Sequence, residues 1–167
     1  MNAVAKIRQK LASYPEVRHV ATVSSVVIEP FEDSGFSVGL EQHRRGYTVS
    51  FEGWHEEFAS SEEALDCFAF GLSEACRLRV TYRGHTAVKW AVQAREAGEW
   101  IEDSEVGLLF VPFWRQRRVV VLQNHLLPPS SRRRLDMKYA TGVWYVGADA
   151  DRRDLHLHAP TARPPGR

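Results

Sequence analysis

Two short stretches carry residues that could do chemistry. Gly35-Phe36-Ser37-Val38-Gly39 reads G-x-S-x-G, a pattern that in hydrolases lifts a serine nucleophile onto a sharp turn between a buried strand and a helix. Here Ser37 falls inside the alternation Phe36, Val38, Leu40, and a hairpin rather than a helix is expected after it. The serine is therefore expected as an outward strand residue. His55-Glu56-Glu57 opens like the zinc-protease pattern, but the position of the second histidine is Ala59, so the motif fails. His55 and Glu57 are left on one face of an extended segment. Acid–base work from them would need a carboxylate perturbed by a neighbouring imidazole. If the chain is an enzyme, His55 and Glu57 are its catalytic candidates, with Trp54 and Trp90 lining a ligand pocket. A solvated sheet edge is the plainer reading of the pair.

Other chemistry-bearing residues are sparser. His156 and His158 could share a face, but two histidines without a third ligand make a weak metal site. Cys67 and Cys76 are the only cysteines. On one helix they would point to opposite sides about 13 Å apart, beyond the roughly 7 Å that a disulfide spans. Two buried hydrophobes is the expected reading. Glycine-rich phosphate loops and cysteine-rich metal sites are missing from the sequence, and no metal and no cofactor is expected.

The third chemistry is recognition. Arg115, Arg117 and Arg118 come after Phe113 and Trp114, and Arg132, Arg133 and Arg134 come soon after with Lys138-Tyr139. Bases interleaved with aromatics suit single-stranded nucleic acid. The net charge of +1 over 167 residues gives no strong overall field toward nucleic acid or anionic membrane. Distribution says more than total. From Phe51 to Cys76 stand Glu52, Glu56, Glu57, Glu62, Glu63, Asp66 and Glu74 without a Lys or Arg; from Pro112 to Lys138 the seven bases named above face one acid, Asp136. An acidic face and a basic face on one chain can pair within the fold or between subunits, or stay solvated.

The elements that must position these residues centre on Tyr47 to Arg83. Tyr47, Val49 and Phe51 alternate with Thr48, Ser50 and Glu52 as a half-buried strand. Parity slips at Gly53, which predicts a β-bulge. Ser60 with Glu63 matches a capping box and predicts a helix over about 61–76, with Gly71 marking a close approach of another backbone. Leu78, Val80 and Tyr82 then alternate as a strand. Upstream, Ala3 to Ser13 reads as a short amphipathic helix, Val17 to Ile28 as a strand, and Phe36 to Gln42 as another. Downstream, Val88 to Val92 is a strand, Trp100-Ile101 begins its return, Glu102 to Glu105 reads as an acidic turn, and Val106 to Trp114 as an apolar strand irregular at Pro112. Val119 to Leu122 is the next strand, and Met137 to Val146 adds bulk for one more.

Together these predict an α+β fold: a mostly antiparallel, curved sheet with the central helix on one face and a short N-terminal helix. One domain spans 1–147, with a break expected near 127–131, and the charged, Pro/Arg-rich 148–167 is expected as a disordered tail. No segment reaches the roughly 20 apolar residues of a membrane span. The first residues lack a continuous apolar run, so the cytoplasm is the expected compartment. The function expected from the sequence is a non-enzymatic binding protein, a homo-oligomer (a dimer) or one with a protein partner. It would associate through an aromatic sheet surface with Trp114, Arg115, Arg117 and Arg118 at the contact. A small-molecule-binding domain or enzyme with a pocket between helix and sheet is the alternative, and single-stranded nucleic-acid binding comes third.

Overall fold

A computed structural model describes residues 2–128. The sites foreseen at Arg132–Arg134, Met137–Val146 and His156/His158 lie outside those residues. The chain begins with α1 (Ala3–Leu11), whose N-cap Asn2 accepts from the Ala5 N–H at 2.7 Å. Val4, Ile7 and Leu11 form its buried stripe. The strand foreseen over Val17–Ile28 is instead two short strands, β1 (His19–Ala21) and β2 (Ser25–Ile28), paired antiparallel. Thr22 makes the break: its Oγ1 accepts from the N–H groups of Ser24 and Ser25, a local turn that competes with the ladder.

Next come β3 (Val38–His43), β4 (Gly46–Phe51) and β5 (Trp54–Phe58), joined by hairpins into the sheet β1-β2-β3-β4-β5. Gly53 is not a bulge. Phe51 faces Trp54 in the ladder, so Glu52-Gly53 is a tight hairpin turn, and the parity slip is the chain reversing. Glu52 sits at φ +52°, an uncommon conformation for a non-glycine residue. Its carboxylate accepts from the Ser37 N–H at 3.0 Å and the Ser37 hydroxyl at 3.2 Å, which anchors the turn. Gly53 is required by close approach, since a Cβ there would lie 2.4 Å from the Trp90 ring.

Helix α2 (Ser61–Gly71) is capped by Ser60, whose Oγ accepts from the Glu62 N–H at 3.2 Å. It ends at Gly71, short of the expected Cys76. The close approach at Gly71 is a ring, not a backbone: a Cβ there would lie 2.3 Å from the Phe51 ring. The Ser73 hydroxyl then donates to the Phe70 carbonyl and turns the chain, so Cys76 opens a strand. Cys67 and Cys76 are both buried in the core, as expected.

The second sheet is β8-β7-β6-β9, built from β6 (Cys76–Arg83), β7 (Thr86–Glu96), β8 (Glu99–Gly107) and β9 (Arg117–Gln123), all antiparallel. The acidic stretch Glu102–Glu105 is no turn. It lies inside β8 because its carboxylates meet bases on other strands of the sheet: Glu102 pairs with Arg79 and Glu105 with Lys89. The α+β class with antiparallel pairing thus holds, with the strands divided between two sheets. Both helices pack on one face of the first sheet, α2 on β3 and β4 and α1 on β2 and β3. Val26, Val38, Leu40, Val49, Phe51 and Trp54 meet them in a core that runs on through Leu78, Val80 and Val92 of the second sheet. Each such large side chain, fully buried, contributes about 1.5–3 kcal/mol. No helix among the described residues is long and apolar enough to cross a membrane.

Candidate functional site

The stretch 108–116 is the part of the chain that departs furthest from expectation. The sequence reads as an apolar strand over Val106 to Trp114, yet β8 ends at Gly107 and gives way to a loop. Pro112 has no N–H for a ladder, and no polar residue alternates with the apolar ones. On this loop Leu109, Phe110, Phe113 and Trp114 are 54, 83, 71 and 85 % exposed. Four bulky apolar side chains are thus open to solvent within six residues.

The base of the loop is held by arginine. Arg83 Nη1 donates to the carbonyls of Phe113 (3.5 Å) and Arg115 (3.3 Å). Gly84, at φ +62°, donates its N–H to the Gln116 carbonyl at 2.9 Å. Arg118 lies over the Tyr82 ring, 4.6 Å from its centroid, where a cation and an aromatic face attract. Arg115, Arg117 and Arg118 are all exposed. The structure therefore brings Trp114 and the three arginines foreseen with it onto one tip, and adds Leu109, Phe110 and Phe113.

A groove of about 830 Å³ lies elsewhere, between α1 and α2 and the segments 14–17, 31–35 and 123–127. Its floor is apolar, with Ile7, Leu11, Ile28, Leu65 and Leu72, and its polar edge carries Glu16, Glu32 and Asp66 against Lys10. Tyr14 and Phe31 line it while remaining exposed. Asn124 closes one end and is buried: it accepts from the Phe36 N–H at 3.2 Å and donates to the carbonyls of Phe36 (3.0 Å) and Gly71 (2.9 Å).

The residues foreseen for a pocket do not line this groove. Trp54 is buried and stacks on Phe51, with centroids 4.7 Å apart. Trp90 is half-buried over Gly53. His55 and Glu57 lie on edge strand β5, opposite Ser50 and Thr48 and on the face away from buried Trp54, and no ion pair joins them. Ser37 is held by Glu52, as an outward residue rather than at an elbow. Among the described residues no group of three His, Cys, Asp or Glu could hold a metal.

The outer face of the second sheet is charged but internally matched. Arg77 and Arg95 lie 4.4 and 6.0 Å from the Trp100 ring centroid. Burial, and secondarily the charge of Arg79, lowers the Arg77 pKa from its ordinary value. The hydrogen bond from Lys89 holds Glu105 below the usual carboxylate range, against the opposing effect of partial burial. These groups are engaged with one another rather than aimed at a common point.

No known family, curated protein or solved structure matches this chain. Sequence reasoning missed Tyr14 and Phe31 at the groove, Asn124 at its end and Phe110 on the loop. Only Phe110 had a signal, the unalternated apolar run beside Pro112. The groove joins segments about a hundred residues apart, which no local pattern shows.

Proposed function

We propose that this chain is a non-enzymatic interaction protein that self-associates through its aromatic–arginine loop. The observation that carries the reading is the exposure of Leu109, Phe110, Phe113 and Trp114 on one loop, followed directly by exposed Arg115, Arg117 and Arg118. Trp and Arg are the residue types that most often dominate binding energy, and such anchors act when fully desolvated in a complex.

The double variant Phe110→Ser, Trp114→Ser tests it by light scattering. Both side chains are exposed, so circular dichroism should be unchanged while association weakens by about 30-fold, the effect of losing roughly 2 kcal/mol of anchor contact. Association as strong as that of the wild type would remove the loop from the interface.

The groove favours a second reading, a small-molecule-binding domain. Its size lies within the roughly 300–1,000 Å³ of ordinary ligand sites and its lining is mostly apolar with a few charged groups. Under that reading an apolar dye would bind the full chain at one saturable site, and Phe31→Glu would abolish the binding.

A further inference from the structure

Resting on the self-association reading, we infer that the loop of one copy docks into the α1–α2 groove of a second copy, so that the contact is head-to-tail. The two surfaces match in chemistry. The loop offers apolar bulk at Phe110 and Trp114 with cations at Arg115, Arg117 and Arg118. The groove offers an apolar floor and exposed Tyr14 and Phe31, with the carboxylates of Glu16, Glu32 and Asp66 outnumbering Lys10 on its edge. Aromatic anchors entering an apolar slot while guanidinium groups meet carboxylates at its edge is a combination that gives both affinity and orientation.

The fold sets loop and groove apart within one copy. The loop leads into β9 at Arg117, and β9 leaves into the groove wall at Gln123. The extended strand between them separates the two by about 20 Å. The loop is also fastened at the far end by Arg83 and Gly84. Loop and groove therefore sit at opposite ends of one strand, a separation that favours contact between copies over contact within one. Two different patches in contact make a heterologous interface, which extends into chains unless the rotation between copies closes a ring.

Mixing variants of the full chain decides it. Phe110→Ser, Trp114→Ser removes the loop's anchors but leaves the groove; Phe31→Glu, Tyr14→Glu spoils the groove but leaves the loop. All four positions are exposed, so both proteins should fold, which circular dichroism checks. Each alone is expected to be a monomer, while an equimolar mixture forms a 1:1 dimer that grows no further, because only one loop–groove contact can form. Wild type should show a concentration-dependent series of larger species. If the loop variant is monomeric but mixing restores nothing, the loop meets another loop and the head-to-tail inference fails while the self-association reading stands. If the groove variant associates like wild type, the groove assignment fails in the same way. A wild type that stays monomeric overturns both.

Discussion

Asn124 shows how one polar side chain can hold a fold's parts in register. Its three hydrogen bonds tie the exit of β9 to Phe36, just before β3, and to Gly71, at the end of α2. All lie in buried surroundings, where a backbone group left without a partner costs about 1–3 kcal/mol. Asn124→Leu keeps the branching of the side chain but is larger and removes every hydrogen bond, so it should lower unfolding free energy by roughly 2–4 kcal/mol in urea titrations. A loss below about 0.5 kcal/mol would mean that water replaces the bonds. Nothing in the sequence marks Asn124, because its partners lie 53 and 88 positions away. Gly71 was legible as a close approach, but whether a ring or a backbone approached depends on where β4 packs, which helix periodicity does not contain.

Among the elements, local chemistry was most legible where it is self-contained. The Ser60 cap, the alternation of Tyr47, Val49 and Phe51, and the stripe of α1 all appear where residue type placed them. It failed where a partner strand decides. Glu102–Glu105 looks like a turn until Arg79 and Lys89 are set opposite it, and Glu52-Gly53 looks like a bulge until β5 folds back on β4. The β7–β8 pairing carries a pH consequence. The pKa of Glu105 is lowered in the folded state, first by its hydrogen bond from Lys89. Its contribution is therefore present above the unfolded carboxylate value of about 4.3 and is lost as pH falls through the lower folded value. Thermal stability should decline below about pH 4.3, and Glu105→Gln should flatten that decline slightly. The pair is solvent-exposed, so its worth is at most about 1 kcal/mol. An acid limb identical in the two proteins would show that the pair does not contribute.

Across the described residues, exposed apolar side chains are spread, from Val20 and Val23 to Ile101, but they are densest on the loop before β9. The basic aromatic tip lies at one end of β9 and the acidic groove at the other. The sequence pointed to Trp114 and its arginines on a sheet surface where the structure has a loop, and of the acidic block over Phe51–Cys76 only Asp66 lines the groove, beside Glu16 and Glu32 from outside that block. The difference lies in Pro112 and the absence of alternation from Leu108 to Trp114, which leave that run without a ladder to join. Self-association through this tip is what most needs a test, and sedimentation velocity of the full chain over a wide concentration range at two salt levels supplies it. The expected result is a set of species that grow with concentration and weaken, without vanishing, at about 0.5 M salt, where exposed charge pairs are screened but apolar contacts persist. A single monomer boundary at every concentration, in both salts, would contradict self-association.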